Sequence, residues 1–217
     1  METFLQILTL LLVAVAAYLI GSINFAIIVT KLFAKKDIRD YGSGNAGMTN
    51  VLRTLGKGPA VLVTVGDFCK GVAAVLVGRM LLHLLGGGIP FYADYILGLF
   101  AMLGHCFPVF YGFRGGKGIL VSAGVISVLN WRVLLIILAV FLIVVGVSKT
   151  VSLGSISAAA AYPISTLLVD LLRKAPHPFL DALSALIIGG IVIFMHRSNI
   201  KRLRNGTENK LGQKKKS

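Results

Sequence analysis

No Asp, Glu, Lys or Arg interrupts this chain between Phe4 and Thr30. Such a run exceeds the roughly 7–15 apolar residues of a secretory signal core. It meets the roughly 20 that a helix needs to cross a bilayer. Glu2 precedes it and no early Lys or Arg does, so it reads as a retained helix rather than a cleaved leader. Further apolar runs follow at Pro59–Leu85, Tyr92–Tyr111, Gly118–Leu129, Arg132–Ser148, Ser155–Leu172 and Phe179–His196. Pro59 suits a helix start, and Gly86-Gly87-Gly88 suits that helix's end. Gly118–Leu129 covers only about 18 Å at 1.5 Å per residue, so it can be half-buried or re-entrant. The chain is expected to be an all-α integral membrane protein of about seven transmembrane helices, or five if the short pieces do not cross. One membrane-embedded domain over 1–208 precedes a basic tail at 209–217, expected to be disordered.

Charge then orients the bundle. Only 14% of the 217 residues are charged, against roughly 25% in soluble domains, yet the net charge is +14. In a soluble chain that excess would suggest nucleic acid. Here it sits between and after apolar runs, which favours basic loops on the cytoplasmic side and no nucleic-acid partner. With an external N-terminus and a cytoplasmic C-terminus, one face gathers Lys31 to Lys57, Arg114, Lys117, Lys149 and the tail, 17 of the 22 Lys and Arg. The polar, glycine-rich segments fall on that same face. Cys69 and Cys106 lie in apolar runs without metal-ligand spacing and read as small core residues.

The first polar segment runs from Arg39 to Arg53. Gly42, Gly44 and Gly47 allow tight turns and close backbone approach, while Ser43, Asn45, Thr49, Asn50 and Arg53 supply donors and a fixed charge. That set suits a phosphate at a bilayer surface. The second carries Arg114, Gly115, Gly116, Lys117 and Gly118 just before a helix start, where N–H groups and the helix dipole attract anions. Ser152 and Ser155 stand where they could cap the sixth span. His196 and Asn199 are three apart, on one face if the last helix continues. Asp67 and Lys70, also three apart within the second span, read either as a self-neutralising structural pair or as catalytic groups, and Asp67 could also hold a basic residue of the phosphate site in place. Two motif matches fail. Gly42-Ser-Gly-Asn-Ala-Gly47 fits a dinucleotide fingerprint but has no strand before it, and Gly115-Gly-Lys-Gly118 lacks the Walker spacing.

Taken together, Gly-Ser-Gly-Asn-x-Gly-x-Thr-Asn-Val-x-Arg (Gly42 to Arg53), Asp67-Phe-Cys-Lys-Gly71, Gly104-His through Gly-Gly-Lys-Gly118, Ser152-Leu-Gly-Ser155 and His196-Arg-x-Asn-Ile-x-Arg-Leu-x-x-Gly-x-Glu208 resemble the PlsY family across nearly the whole chain. Those are bacterial membrane glycerol-3-phosphate acyltransferases. Met48 is the one departure, standing where the family more often has a smaller residue. The resemblance implies transfer of a fatty acyl group from acyl phosphate to the sn-1 hydroxyl of glycerol 3-phosphate, giving lysophosphatidic acid and phosphate. It implies a site on the cytoplasmic face of the bacterial cytoplasmic membrane, no cofactor, and a separate partner enzyme that supplies acyl phosphate. Ser43, Arg53, Lys117, Ser152, His196 and Asn199 would line that site, with Glu208 closer to a structural role.

The chemistry of the residues agrees. Two phosphorylated substrates explain several cationic, N–H-rich loops, and an acyl phosphate needs little acid help because its leaving group is phosphate. Other glycerolipid acyltransferases use His-x-x-x-x-Asp, and none of His83, His105, His177 or His196 has Asp at that interval. Positioning and charge stabilisation are expected, with His196 the one attractive protein base beside the substrate phosphate itself. No compact His/Asp/Glu cluster suggests a metal. A transporter for a phosphorylated metabolite and a non-catalytic scaffold are the rivals. Against the first, no inverted repeat or pair of broken mid-membrane helices is evident. Against the second, a scaffold does not require six phosphate-suited residues.

Overall fold

The computed structural model describes residues 2–85, 90 and 92–212. The expected helix end at Gly86-Gly87-Gly88 and the end of the tail, 213–217, lie outside them. The described residues form helices and no strand: α1 (Glu2–Ser22), α2 (Phe25–Ala34), α3 (Met48–Leu55), α4 (Lys57–Leu84), α5 (Ala93–Cys106), α6 (Ile119–Leu129), α7 (Trp131–Ser148), α8 (Val151–Leu172), α9 (Pro178–Met195) and α10 (Arg197–Arg204). Six segments among them are long and apolar enough to cross a membrane. The expected span at Gly118–Leu129 corresponds to α6, whose 11 residues are too short for a full crossing. Where the sequence reads as one domain, packing divides the chain into two compact units, Met1–Leu129 and Asn130–Ser217.

The first apolar run is not one helix, contrary to expectation. It breaks after Ser22, and Asn24 takes an extended backbone and accepts the Ile27 N–H at 3.1 Å to cap α2. Asn is among the best N-cap residues, and a chain end inside an apolar bundle must satisfy its own donors. Asn24 carries no charge, so a search for charge-free runs passes over it.

In the first unit, α1 packs on α5 and α4, and α4 on α6. Lipid provides no apolar drive between helices, so close contact must come from small residues. Gly71 faces the Val121 carbonyl and Gly124 faces the Phe68 carbonyl, so a Cβ on either would overlap backbone. Gly21 and Gly104 play the same part between α1 and α5. A second apolar cluster of Ala26, Ile27, Ile38, Ala46, Val51 and Val63 joins α2, α3 and α4. Ile38 and Ala46 flank the glycine-rich turn, so this cluster fixes the polar loop to the bundle.

In the second unit α8 packs between α7 and α9. Asn130 Nδ2 donates to Asp170 Oδ1 at 3.1 Å, tying the start of α7 to the end of α8. Helix α8 begins at Val151, so Ser152 and Ser155 lie inside it and neither caps it; Thr150 holds the cap position. The Leu211 N–H, within the expected tail, donates to the Lys149 carbonyl at 2.7 Å. Outward faces of both units are apolar: Leu12, Val61, Leu142, Ile143 and Leu168 are all exposed, as lipid contact requires.

Candidate active site

Asn50 organises the first loop. Its Nδ2 donates to the carbonyls of Ile38 (3.1 Å), Tyr41 (2.9 Å) and Asn45 (3.1 Å), and its Oδ1 accepts the Ser43 N–H at 3.0 Å. The side chain is 1% exposed. Both ends of the amide are thus committed inside the loop, and its expected place among the phosphate-binding groups gives way to a structural one. Gly42 and Gly44 have φ of +60° and +69°, a region that side chains disfavour, and between them Ser43 stands exposed. Thr49 and Asn45 are half-buried and Arg53 is exposed, in the last turn of α3.

The second loop folds back onto the end of α5. Gly115 N–H donates to the Cys106 carbonyl and Gly116 N–H to the His105 carbonyl, each at 3.1 Å. Gly118 leads directly into α6, as the sequence predicts, with Lys117 half-buried and Arg114 exposed. Arg39 joins the two loops. Its guanidinium pairs with Asp37 at 2.8 Å and donates from Nη1 to the carbonyls of Tyr111 (2.6 Å) and Arg114 (3.3 Å). The hydrogen bond from Arg39 draws the Asp37 carboxyl below its ordinary range, and Asp37 holds the guanidinium above its own. Beneath the loops, Asp67 and Lys70 form a buried pair at 2.8 Å.

In the second unit three expected residues meet. Glu208 Oε1 accepts from Ser152 Oγ at 3.0 Å and from Asn199 Nδ2 at 2.8 Å, while Oε2 accepts from Arg202 Nε at 2.7 Å. Burial raises the Glu208 carboxyl's pKa, but the three donors together outweigh it, and the net shift is below the ordinary value. His196 sits at the junction of α9 and α10, where its ring Nδ1 lies 2.8 Å from the Val192 carbonyl. A carbonyl only accepts, so Nδ1 carries a proton, and whenever the ring is neutral Nε2 is its acceptor edge.

The geometry is that of two polar clusters, one in each unit, on an apolar helical scaffold. The family described as "Glycerol-3-phosphate acyltransferase" matches residues 11–206. A glycerol-3-phosphate acyltransferase of Clostridioides difficile is 44% identical over 97% of this chain and 100% of its own length. One of Thermoanaerobacter pseudethanolicus is 47% identical over 94% and 96%. The crystal structure of PlsY (YgiH), an integral membrane glycerol 3-phosphate acyltransferase, in its glycerol 3-phosphate form, superposes with a TM-score of 0.78 at 37% identity over 94% of this chain and 96% of that one. Its lysophosphatidic acid form gives 0.74 at 37% identity, over 94% and 95%.

This chain belongs to the PlsY family. It is an integral membrane protein of the glycerol-3-phosphate acyltransferases, and the correspondence runs through both units. Two residues of the quoted segments have contacts that their motifs do not report. Arg39 opens the first loop, and the short-range spacing Asp37-x-Arg39 was the available signal for its pairing. His105 stands in the Gly104-His motif, and the fold places its ring against Gly116 of the second loop. Among the described residues no group of three His, Cys, Asp or Glu side chains could hold a metal ion.

Proposed function

We propose that this protein moves a fatty acyl group from acyl phosphate to the sn-1 hydroxyl of glycerol 3-phosphate, releasing lysophosphatidic acid and inorganic phosphate. The observation that carries this reading is the full-length likeness to PlsY in two forms, one with glycerol 3-phosphate and one with lysophosphatidic acid. These are a substrate and a product of one transfer. The site faces the cytoplasm of a bacterial cytoplasmic membrane, with the N-terminus outside, because the basic loops then lie inside.

Arg53, Arg114 and Lys117 bind substrate phosphate, with Gly42, Gly44, Gly115, Gly116 and Gly118 letting the loop backbone come close to it and with Asn45 and Thr49 beside it. Ser43 donates a hydrogen bond, while Ser152, whose one O–H is given to Glu208, acts as an acceptor. The substrate hydroxyl oxygen attacks the acyl carbonyl carbon, the bond from that carbon to the phosphate oxygen breaks, and phosphate leaves with the electron pair. The hydroxyl proton passes to the phosphate of glycerol 3-phosphate. The sequence sets no base–acid pair around Ser43 to make it a nucleophile, so transfer is read as direct in a ternary complex, with His196 and Asn199 orienting the reactants.

The test is purified protein in detergent with acyl phosphate and glycerol 3-phosphate. Phosphate release that requires glycerol 3-phosphate, with a lysolipid formed in equal amount, is expected. Movement of a phosphorylated metabolite across vesicles without phosphate release would establish a transporter instead. Activity with an acyl thioester and none with acyl phosphate would overturn the donor.

A further inference from the structure

Midway along α4, Lys70 is 4% exposed and Asp67 1%, and from α5 His105 joins them at 4%. An ionised group at this depth costs several kcal/mol unless paired, and Asp67 and Lys70 alone would satisfy that need. They do more than neutralise each other. Lys70 Nζ lies 2.8 Å from Asp67 Oδ1 as a charge contact, donates to the Ile23 carbonyl at 2.6 Å, and lies 2.9 Å from His105 Nδ1. An ammonium has only donors, so Nδ1 accepts and the imidazole carries its proton on Nε2.

That Nε2 edge turns to the second loop. A side chain on Gly116 would overlap it, and would also come within 2.7 Å of the Ala46 carbonyl in the first loop. The His105 main chain holds Gly116 as well, through the 3.1 Å bond described above. One buried network therefore touches the break between α1 and α2, the middle of α4, the end of α5, and the point where both glycine-rich loops come together. A pair needed only to lock helices has no reason to reach that point.

We propose that Asp67, Lys70 and His105 form a positioning device that sets the Gly115–Gly116–Lys117 backbone against the Ala46 turn, and so sets how tightly glycerol 3-phosphate is held. None of the three touches substrate; they act through Gly116 and Lys117. The proposal rests on the acyl-transfer reading above.

His105→Asn keeps an acceptor near the Nδ1 position and removes the ring edge beside Gly116. Asp67→Leu/Lys70→Met removes both charges at once, a change that buried pairs often tolerate in stability. Each variant is purified in detergent for its thermal midpoint, its KM for each substrate, its kcat, and its glycerol 3-phosphate affinity by calorimetry. The expected result is a fall of about 10- to 100-fold in kcat/KM for glycerol 3-phosphate, carried by KM, with the acyl phosphate KM within about twofold and the midpoint near wild type. Wild-type affinity for glycerol 3-phosphate in folded His105→Asn would overturn the proposal. So would a loss shared equally by both substrates in step with the thermal midpoint. If the charge-free double variant does not fold, His105→Asn decides alone. If the wild type itself forms no lysolipid, the acyl-transfer reading fails, and the calorimetric comparison still judges the network.

Discussion

A carboxylate ringed by three donors stays ionised well into acid, and Glu208 is such a group. Its pKa is depressed in the folded protein, so its contribution is complete above the ordinary value of 4.5 and is lost as pH falls through the lower folded value. Glu208→Gln should therefore flatten the acid limb of thermal stability while lowering the midpoint at neutral pH, which a midpoint-against-pH series on both proteins measures. The same variant should reduce activity, since Gln has one acceptor oxygen and must turn its NH₂ group toward a donor that Glu208 now satisfies. Arg53→Lys should raise the KM for glycerol 3-phosphate by roughly tenfold despite keeping the charge, because the planar fork is lost. Unchanged dependence on glycerol 3-phosphate in both Arg53→Lys and Lys117→Ala would remove these cations from the phosphate site. For His196 the deciding measurement is rate against pH at saturating substrates. His196→Gln should be slower at every pH, without recovery at high pH and without rescue by imidazole. Rescue would make the ring the base, a role that its Nε2 acceptor edge allows.

At the scale of elements, the glycines at helix crossings are as decisive as any charged residue. Gly124→Val should destabilise the first unit by roughly 1–3 kcal/mol through forced separation of α4 and α6, read as a lowered thermal midpoint in detergent. A neutral outcome would mean that this crossing can relax. These contacts show where sequence reading stops. Long apolar runs announced the segments able to span because a bilayer demands length and apolarity together. They could not report the capped break at Asn24, since a neutral Asn and a neutral Leu look alike to a charge search. The loops were legible as phosphate-suited by residue type, but not the division of labour inside them. Asn50 and Ser43 are both small donors in one motif, and only the fold turns one inward and leaves the other exposed. Likewise sequence position lets Ser152 either cap a helix or line the site, and only the fold shows its hydroxyl donating to Glu208.

For the whole molecule, the expected orientation has a direct check. A protease-sensitive tag after the C-terminus should be cut in inverted membrane vesicles and protected in right-side-out ones, with an N-terminal tag behaving oppositely. Both tags cut from one side would mean an even number of crossings. The described chain also closes on itself late. After α10 it turns at Gly206, delivers Glu208 to Ser152 and Asn199, and then binds Lys149 through Leu211. This last stretch works as a clasp, and a clasp can be opened without touching any membrane helix. Cutting the chain after Gly206 would leave every crossing intact while depriving Ser152 and Asn199 of the acceptor they share. Full insertion and yield with activity gone is the expected signature of that truncation, and ending the chain at Gly212 instead should preserve it.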